Sequence, residues 1–333
     1  GEHYITRDKK EYWAMFYSAA GCGVLIALMA LFKTYLGSII DDKVWKGLAE
    51  GLNYGFGFMV IFMLHFTVAT KQPAMTAARF AEAVEKNPQG KTLNMKLAQL
   101  LVDVFRSQSV AVLGNVVVAM GLAALIAFVY QHQTGEPLMN SEKIAYQLHR
   151  IDPLDGSLWF AAIAGVWLFC SGIISGYFDN RSNYLNMRMR LAQHPLLKKL
   201  MSEKSRVKFA NYMHENYGSL IGNFCFGMLL GLTGLVGYLT HLPLDIRHVA
   251  FSSANLGYSA VSGQFAYPFF LQCIAFVLLI GLVNLIVSFS LTLWVALRSL
   301  NTEIDSWWAI WHEVCQIVKK RSLSLFFPVQ LDK

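Results

Sequence analysis

Between His248 and Arg298 the chain runs through 49 residues without a single Asp, Glu, Lys or Arg. Together with five further charge-free stretches of at least 20 residues, this divides the sequence into Trp13–Phe32, Gly51–Thr70, Ser107–Tyr130, Gly156–Phe178, Tyr217–Thr240 and Ala266–Leu297. A soluble domain has to spread Lys and Arg over a watery surface and does not segregate them in this way. A bilayer enforces the segregation, because about 20 apolar residues cross its hydrocarbon core. The pattern predicts an integral membrane protein with six transmembrane helices.

The basic residues give the orientation. The amino tail, Thr70–Arg106, Asp179–Asn216 and Arg298–Lys333 together hold 22 Lys and Arg, whereas the alternate segments Asp41–Lys46, Gln131–Asp155 and His241–Phe265 hold 5. Basic loops stay on the cytoplasmic side, so both termini are expected there. The domains expected are a cytoplasmic tail over 1–12, a membrane domain over 13–298 with cytoplasmic arms at 71–106 and 179–216, and an interfacial helix and tail over 299–333.

A charged fraction of 15% and an apolar fraction of 55% fit this reading. The basic balance is then explained by arms facing anionic lipid head groups. Of the five cysteines, Cys22, Cys170, Cys225 and Cys273 fall inside expected spans and Cys315 in the tail, which is neither a disulfide framework nor a zinc spacing. His312 and Cys315 lie one turn apart without further metal partners. The sequence contains no glycine-rich phosphate loop, GxSxG, HExxH or CxxC, so no catalytic residue, metal or cofactor is assigned.

The polar segments read as amphipathic cytoplasmic helices. Leu93, Leu97, Leu100, Leu101, Val104 and Phe105 share one helical face, and Ile304, Trp307, Trp308, Trp311, Cys315 and Val318 form a second stripe. Glycines recur at spacing four: Gly47, Gly51 and Gly55; Gly172 and Gly176; Gly218 and Gly222; Gly227 and Gly231. Small residues at that spacing let helix backbones approach closely in lipid. Asn53, Asn115, Asn223 and Asn284 lie within spans and are expected to hydrogen-bond across helices. Lys33 is expected to reach water at the outer face.

Two segments carry candidate sites. Leu242–Gly263 is too polar for lipid and too apolar for a free loop. It fits either a re-entrant half-helix lining a cavity or a short helix packed on the outer ends of the bundle. Asp245, Arg247, His248, Ser253 and Asn255 are its candidate site residues, with Asp245 and Arg247 as an ion pair. In His65–Phe80, Pro73 suits the first turn of a helix, and Lys71, Gln72 and Arg79 cluster where a phosphate or lipid head group would bind. Ordinary juxtamembrane charge explains that cluster equally well.

The phrases GEHYITRDKKEYWAMFYSAAG (1–21), HFTVATKQPAMTAA (65–78), GYFDNR (176–181), NFCFGMLLGLTG (223–234) and LPLDIRHVAFSSANLG (242–257) resemble polytopic membrane proteins of Gram-negative bacteria known as the site-specific recombinase family. The resemblance spans nearly the whole chain in order. It implies the bacterial inner membrane, a role in DNA rearrangement, and a chain of about twice this length, of which this would be the carboxy-terminal membrane half and the amino-terminal half a partner. The residues themselves point elsewhere. A recombinase needs a nucleophilic Ser or Tyr beside several Arg. Tyr184 and Tyr212, with Arg181, Arg188, Arg190 and Arg206, belong to a 38-residue arm, too short for an independent catalytic domain. The leading expectation is therefore a non-enzymatic membrane passage or scaffold, compatible with a homo-oligomer. The competing expectation is a DNA recombination or inversion factor, with the arm binding DNA.

Overall fold

The computed structural model describes residues 6, 8–69, 72–86 and 91–327. Those residues form twelve α-helices and two short 3-10 turns, with no strand among them. In chain order the helices are α1 (Lys9–Ile39), α2 (Lys43–Met63), α3 (Gln72–Lys86), α4 (Lys91–Thr134), α5 (Ser141–Ile151), α6 (Ser157–Tyr184), α7 (Met187–Gln193), α8 (Pro195–Leu200), α9 (Glu203–Thr240), α10 (Val249–Ser262), α11 (Tyr267–Ser299) and α12 (Trp307–Lys320). Polar caps set several of their starts: Asp8, Asp42, Asn140, Ser202 and Ser306 each accept a first-turn amide.

Five helices, α1, α4, α6, α9 and α11, are long and apolar enough to cross a membrane. The charge-free run Gly51–Thr70 does not continue as helix to its end. α2 stops at Met63, and His65 takes a left-handed φ of 58°. Its charged first half, with Lys43, Lys46 and Glu50, keeps this 21-residue helix outside the five.

The segment after α2 is irregular yet packs against the interiors of two long helices. Ser18 on α1 donates its Oγ to the His65 carbonyl at 3.0 Å and accepts the Thr67 amide at its own carbonyl at 3.2 Å. Asn115 on α4 donates to Ala19 and Thr67 carbonyls and accepts the Ala69 amide at 3.1 Å. Hydropathy reads continuous apolar sequence there, whereas two side chains satisfy a break in the helix.

Glycine directs the packing of α9 on both α2 and α6. Gly227 and Gly231 of α9 lie against the backbone of Tyr54, Gly55 and Gly51 in α2, and Gly47 meets Leu235. Gly218 and Gly222 fit against Ser175 and Asp179 of α6, and Asp179 accepts the Gly218 amide at 3.0 Å. The Gly172–Gly176 spacing does not work in this way, since Gly172 is exposed and Gly176 has open space around it.

α4 is 44 residues long and at about 1.5 Å per residue reaches about 66 Å, twice the hydrocarbon thickness. Its first turns, with α3, α12 and the end of α11, enclose a separate core of Phe80, Leu97, Val102, Leu293, Ile310 and Val314. In α12, Ile310 is 1% exposed and belongs to this core, whereas Trp308 is 80% and Trp311 57% exposed. Trp307 stacks on the Phe80 ring, 6.0 Å between centroids, and the aliphatic side of α12 packs.

Candidate functional site

α10 lies inside the bundle. Val249 through Ala254 and Leu256 through Ser259 are all buried, and the helix packs against α4, α1, α5 and α11. Gly257 meets the Met120 carbonyl and Ala123 on α4, and Tyr258 donates its hydroxyl to the Ala27 carbonyl on α1 at 2.9 Å. α10 is thus enclosed by its neighbouring helices on most of its surface.

Asn284, fully buried midway along α11, closes the start of α10. Its Oδ1 accepts the Val249 amide at 3.1 Å, and its Nδ2 donates to the Arg247 carbonyl at 2.9 Å and the Ala161 carbonyl at 2.8 Å. Asn284 does for the start of α10 what Asn115 does for the segment after α2. Asn53 also bonds across helices, to the Met29 carbonyl, and Asn223 donates to the Ser219 carbonyl one turn earlier in α9.

Above one face of α10 opens a cavity of about 510 Å³, walled by α1, α2, α5 and α9 and by the extended segment 244–248. It has the size of a small-molecule site. Ser252 and Asn255 of α10, with Tyr54 and Phe251, line its depth, and Tyr54 and Phe251 stack with ring centroids 4.3 Å apart. His248 sits among Phe58, Phe226 and Phe251 and also reaches the lining.

A charged knot forms one wall. Asp245 Oδ2 lies 2.6 Å from Nη1 of Arg247 and 3.1 Å from Nη1 of Arg150 on α5. Arg150 also donates to the Tyr146 hydroxyl and the Ile246 carbonyl, and Arg247 Nε donates to the Arg150 carbonyl at 2.7 Å. The Arg247 guanidinium lies over the Phe160 ring, 4.8 Å from its centroid. Burial pushes the Asp245 carboxyl up, but the Arg150 and Arg247 charges outweigh it and hold its pKa at about 2. Burial and the charge of Arg150 lower the pKa of Arg247. For Arg150, burial lowers the pKa but is outweighed, chiefly by Asp245, and the net shift is upward. An arginine starts high enough that both remain guanidinium ions. Elsewhere in the lining Lys33 pairs with Glu50 at 3.1 Å and sits over Tyr54.

Of the candidate residues named from sequence, Asp245, Arg247, His248 and Asn255 therefore share one cavity. Ser253 does not: it is fully buried on another face and donates to the Ala250 carbonyl at 2.7 Å. Lys71 lies outside the described residues, as does the side chain of Gln72. Arg79 is described and pairs with Glu82 at 3.8 Å within α3. Sequence reasoning did not bring Lys43, Lys46, Lys143 or Arg150 to this place, although all line the cavity. Their shared property in the sequence was that they are cations in the segments where cations are scarce. Among the described residues no group of three or more His, Cys, Asp or Glu could hold a metal ion.

The described residues are all helical outside their connections, and five of the helices are long and apolar enough to cross a membrane. The chain belongs to the family described as "Site-specific recombinase", whose model matches residues 1–328. No curated protein and no solved structure matches it.

Proposed function

We propose that the protein is an integral membrane protein of six crossings, α2 supplying the sixth, with its termini and basic arms in the cytoplasm. On this reading it admits a small polar solute from the opposite side into the cavity above α10. The observation that carries the reading is a polar, charged cavity of about 510 Å³ whose deep wall is a buried 14-residue helix. Irregular backbone and short helices occur at membrane depth where protein or a water-filled cavity shields them. In support, Asn284 donates to the Arg247 carbonyl at the end of segment 242–248, and Asn115 donates to the Thr67 carbonyl within 64–69.

The test is reactivity toward a membrane-impermeant thiol reagent added outside intact spheroplasts. Asn255→Cys, at the cavity, is expected to react, and Ser253→Cys, two residues away on the enclosed face, is not. An unreactive Asn255→Cys in a folded protein contradicts the reading.

The family's description favours a second reading, participation in DNA rearrangement. The arm over the end of α6, α7, α8 and the start of α9 presents Arg181, Arg188, Arg190, Lys198, Lys199 and Lys204, and Tyr184 at the end of α6 is exposed. Such an arm would bind DNA in a salt-dependent way. Strand cleavage by the purified protein, abolished by Tyr184→Phe or Tyr212→Phe, would establish this second role.

A further inference from the structure

Six of the 28 Lys and Arg residues lie outside the amino tail, the two arms and the carboxy-terminal segment: Lys33, Lys43, Lys46, Lys143, Arg150 and Arg247. All six line the cavity above α10. They come from four separate parts of the chain, so adjacency in sequence does not explain their meeting. Against them the cavity holds two carboxylates, Glu50 and Asp245.

Both carboxylates are already engaged. Glu50 pairs with Lys33, and Asp245 is shared by Arg150 and Arg247. Lys43, Lys46 and Lys143 have no carboxylate within ion-pair distance among the described residues; Lys43 Nζ instead lies 4.0 Å from the Tyr238 ring centroid. Lys46 is half-buried, and Lys43 and Lys143 are exposed at the rim. Cations of one sign around a cleft with low-dielectric walls focus field lines and concentrate counter-ions. The positive-inside rule depletes cations from the side where these six lie. Their convergence on one cavity therefore calls for a function of its own.

We infer that this cavity is an anion site whose ligand carries a carboxylate or phosphate group, borne by a free solute or by a phospholipid head group. The inference rests on the reading that the cavity is open to solute. Lys46 and Lys143 attract the anion past the rim, and the side chains of Ser252 and Asn255 offer hydrogen-bonding groups at depth. The Arg150–Asp245–Arg247 knot keeps two guanidinium ions in place along one wall. A cationic ligand would meet six like charges and no free carboxylate.

The test uses the full chain in phosphatidylcholine nanodiscs, with Asn255→Cys in a background where Cys170, Cys225 and Cys315 are serine; Cys22 and Cys273 are buried. Reaction rates are compared for an anionic sulfonate and a cationic trimethylammonium methanethiosulfonate, with Glu136→Cys on an exposed loop as reference. The sulfonate-to-trimethylammonium rate ratio at position 255 is expected to exceed the reference ratio by about tenfold or more. The pair Lys46→Gln and Lys143→Gln should reduce it severalfold, and Lys198→Gln with Lys199→Gln on the arm should leave it unchanged. Slowing of the sulfonate reaction by inorganic phosphate assigns the site to a free anion. Slowing only when phosphatidylglycerol replaces part of the phosphatidylcholine assigns it to a head group. A ratio equal to the reference, or protection by neither, overturns the anion site while leaving the open cavity intact. Failure of both reagents to react overturns the open cavity itself.

Discussion

Arg247 Nη1 lies 2.6 Å from Asp245 Oδ2, and the same carboxylate oxygen lies 3.1 Å from Arg150 across the cavity wall. One anion thus holds together α5 and the strap that leads into α10. Removing it leaves two largely buried guanidinium ions without their shared counter-charge. Asp245→Asn is expected to destabilise the protein by about 3 kcal/mol, the scale for an uncompensated buried charge. Thermal unfolding in detergent measures this, and Arg150→Gln added to Asp245→Asn should recover part of the loss. An Asp245→Asn protein as stable as the parent would show that the knot contributes nothing.

The knot also has a defined response to acid. The folded-state pKa of Asp245 is depressed from its ordinary value of 3.8 to about 2. A depressed carboxylate contributes stability that is present above the ordinary value and is lost as pH falls through the folded value. The contribution should therefore stay constant from neutrality to about pH 4 and disappear between there and about pH 2. The stability difference between parent and Asp245→Asn, followed against pH, reports this window. A difference that vanishes near pH 6 contradicts the assignment.

Asn284 is expected to be as sensitive as any charged residue. Asn284→Leu leaves the Val249 amide and the Ala161 and Arg247 carbonyls without their partner in a buried setting. The cost should be about 3 kcal/mol, within the range for stranded buried polar groups. Hydrogen exchange at the first turn of α10 should quicken before that of α11. Asn115→Leu should act in the same way on residues 65–69 and leave α10 protected.

The glycine contacts predict an asymmetry that composition alone does not. Gly227→Leu places a side chain into the backbone of Tyr54 and Gly55 and should cost at least about 3 kcal/mol or prevent assembly of α2 on α9. Gly176→Leu, with open space around it, should be close to neutral. Comparable expression and melting of the two variants would contradict the α2–α9 packing.

The paired spacings Gly47, Gly51, Gly55 and Gly227, Gly231 were legible in the sequence because close helix approach has a local signature of four residues. Gly172 and Gly176 carry the same signature and face no partner, because spacing specifies a smooth helix face and not what lies opposite. The end of α2 was illegible for a related reason: its apolar run continues, and the groups that satisfy the break, Ser18 and Asn115, lie 47 and 48 residues from their partners His65 and Thr67. Leu242–Gly263 announced itself by a composition unsuited to lipid or to water. The face of α10 that meets the cavity was not readable, and Ser253 was placed on the wrong side. The meeting of Lys33, Lys46, Lys143 and Arg150 is long-range, and only their scarcity outside the arms hinted at it.

That correction changes which substitutions occlude the cavity. Ser252→Leu and Asn255→Leu are expected to fill it and to shield a bound anion's path, with less loss of stability than substitutions on the enclosed face. Ser253→Leu and Gly257→Leu instead press on enclosed neighbours, Gly257 on the Met120 carbonyl and Ala123, and should destabilise the helix packing. Measuring melting and the reactivity of a Lys143→Cys rim thiol on the same four proteins separates filling from misfolding. If all four behave alike, the assigned faces of α10 are wrong.

The central claim is that the basic arms and the α10 cavity open on opposite sides of a membrane, with the arms in the cytoplasm. Single cysteines at Glu136, on the exposed loop between α4 and α5, and at Ser202, which caps α9, test it directly. With an impermeant maleimide added to intact spheroplasts, Glu136→Cys is expected to label at once and Ser202→Cys only after the membrane is permeabilised. Labelling of Ser202→Cys from outside, or protection of Glu136→Cys until permeabilisation, would contradict the account.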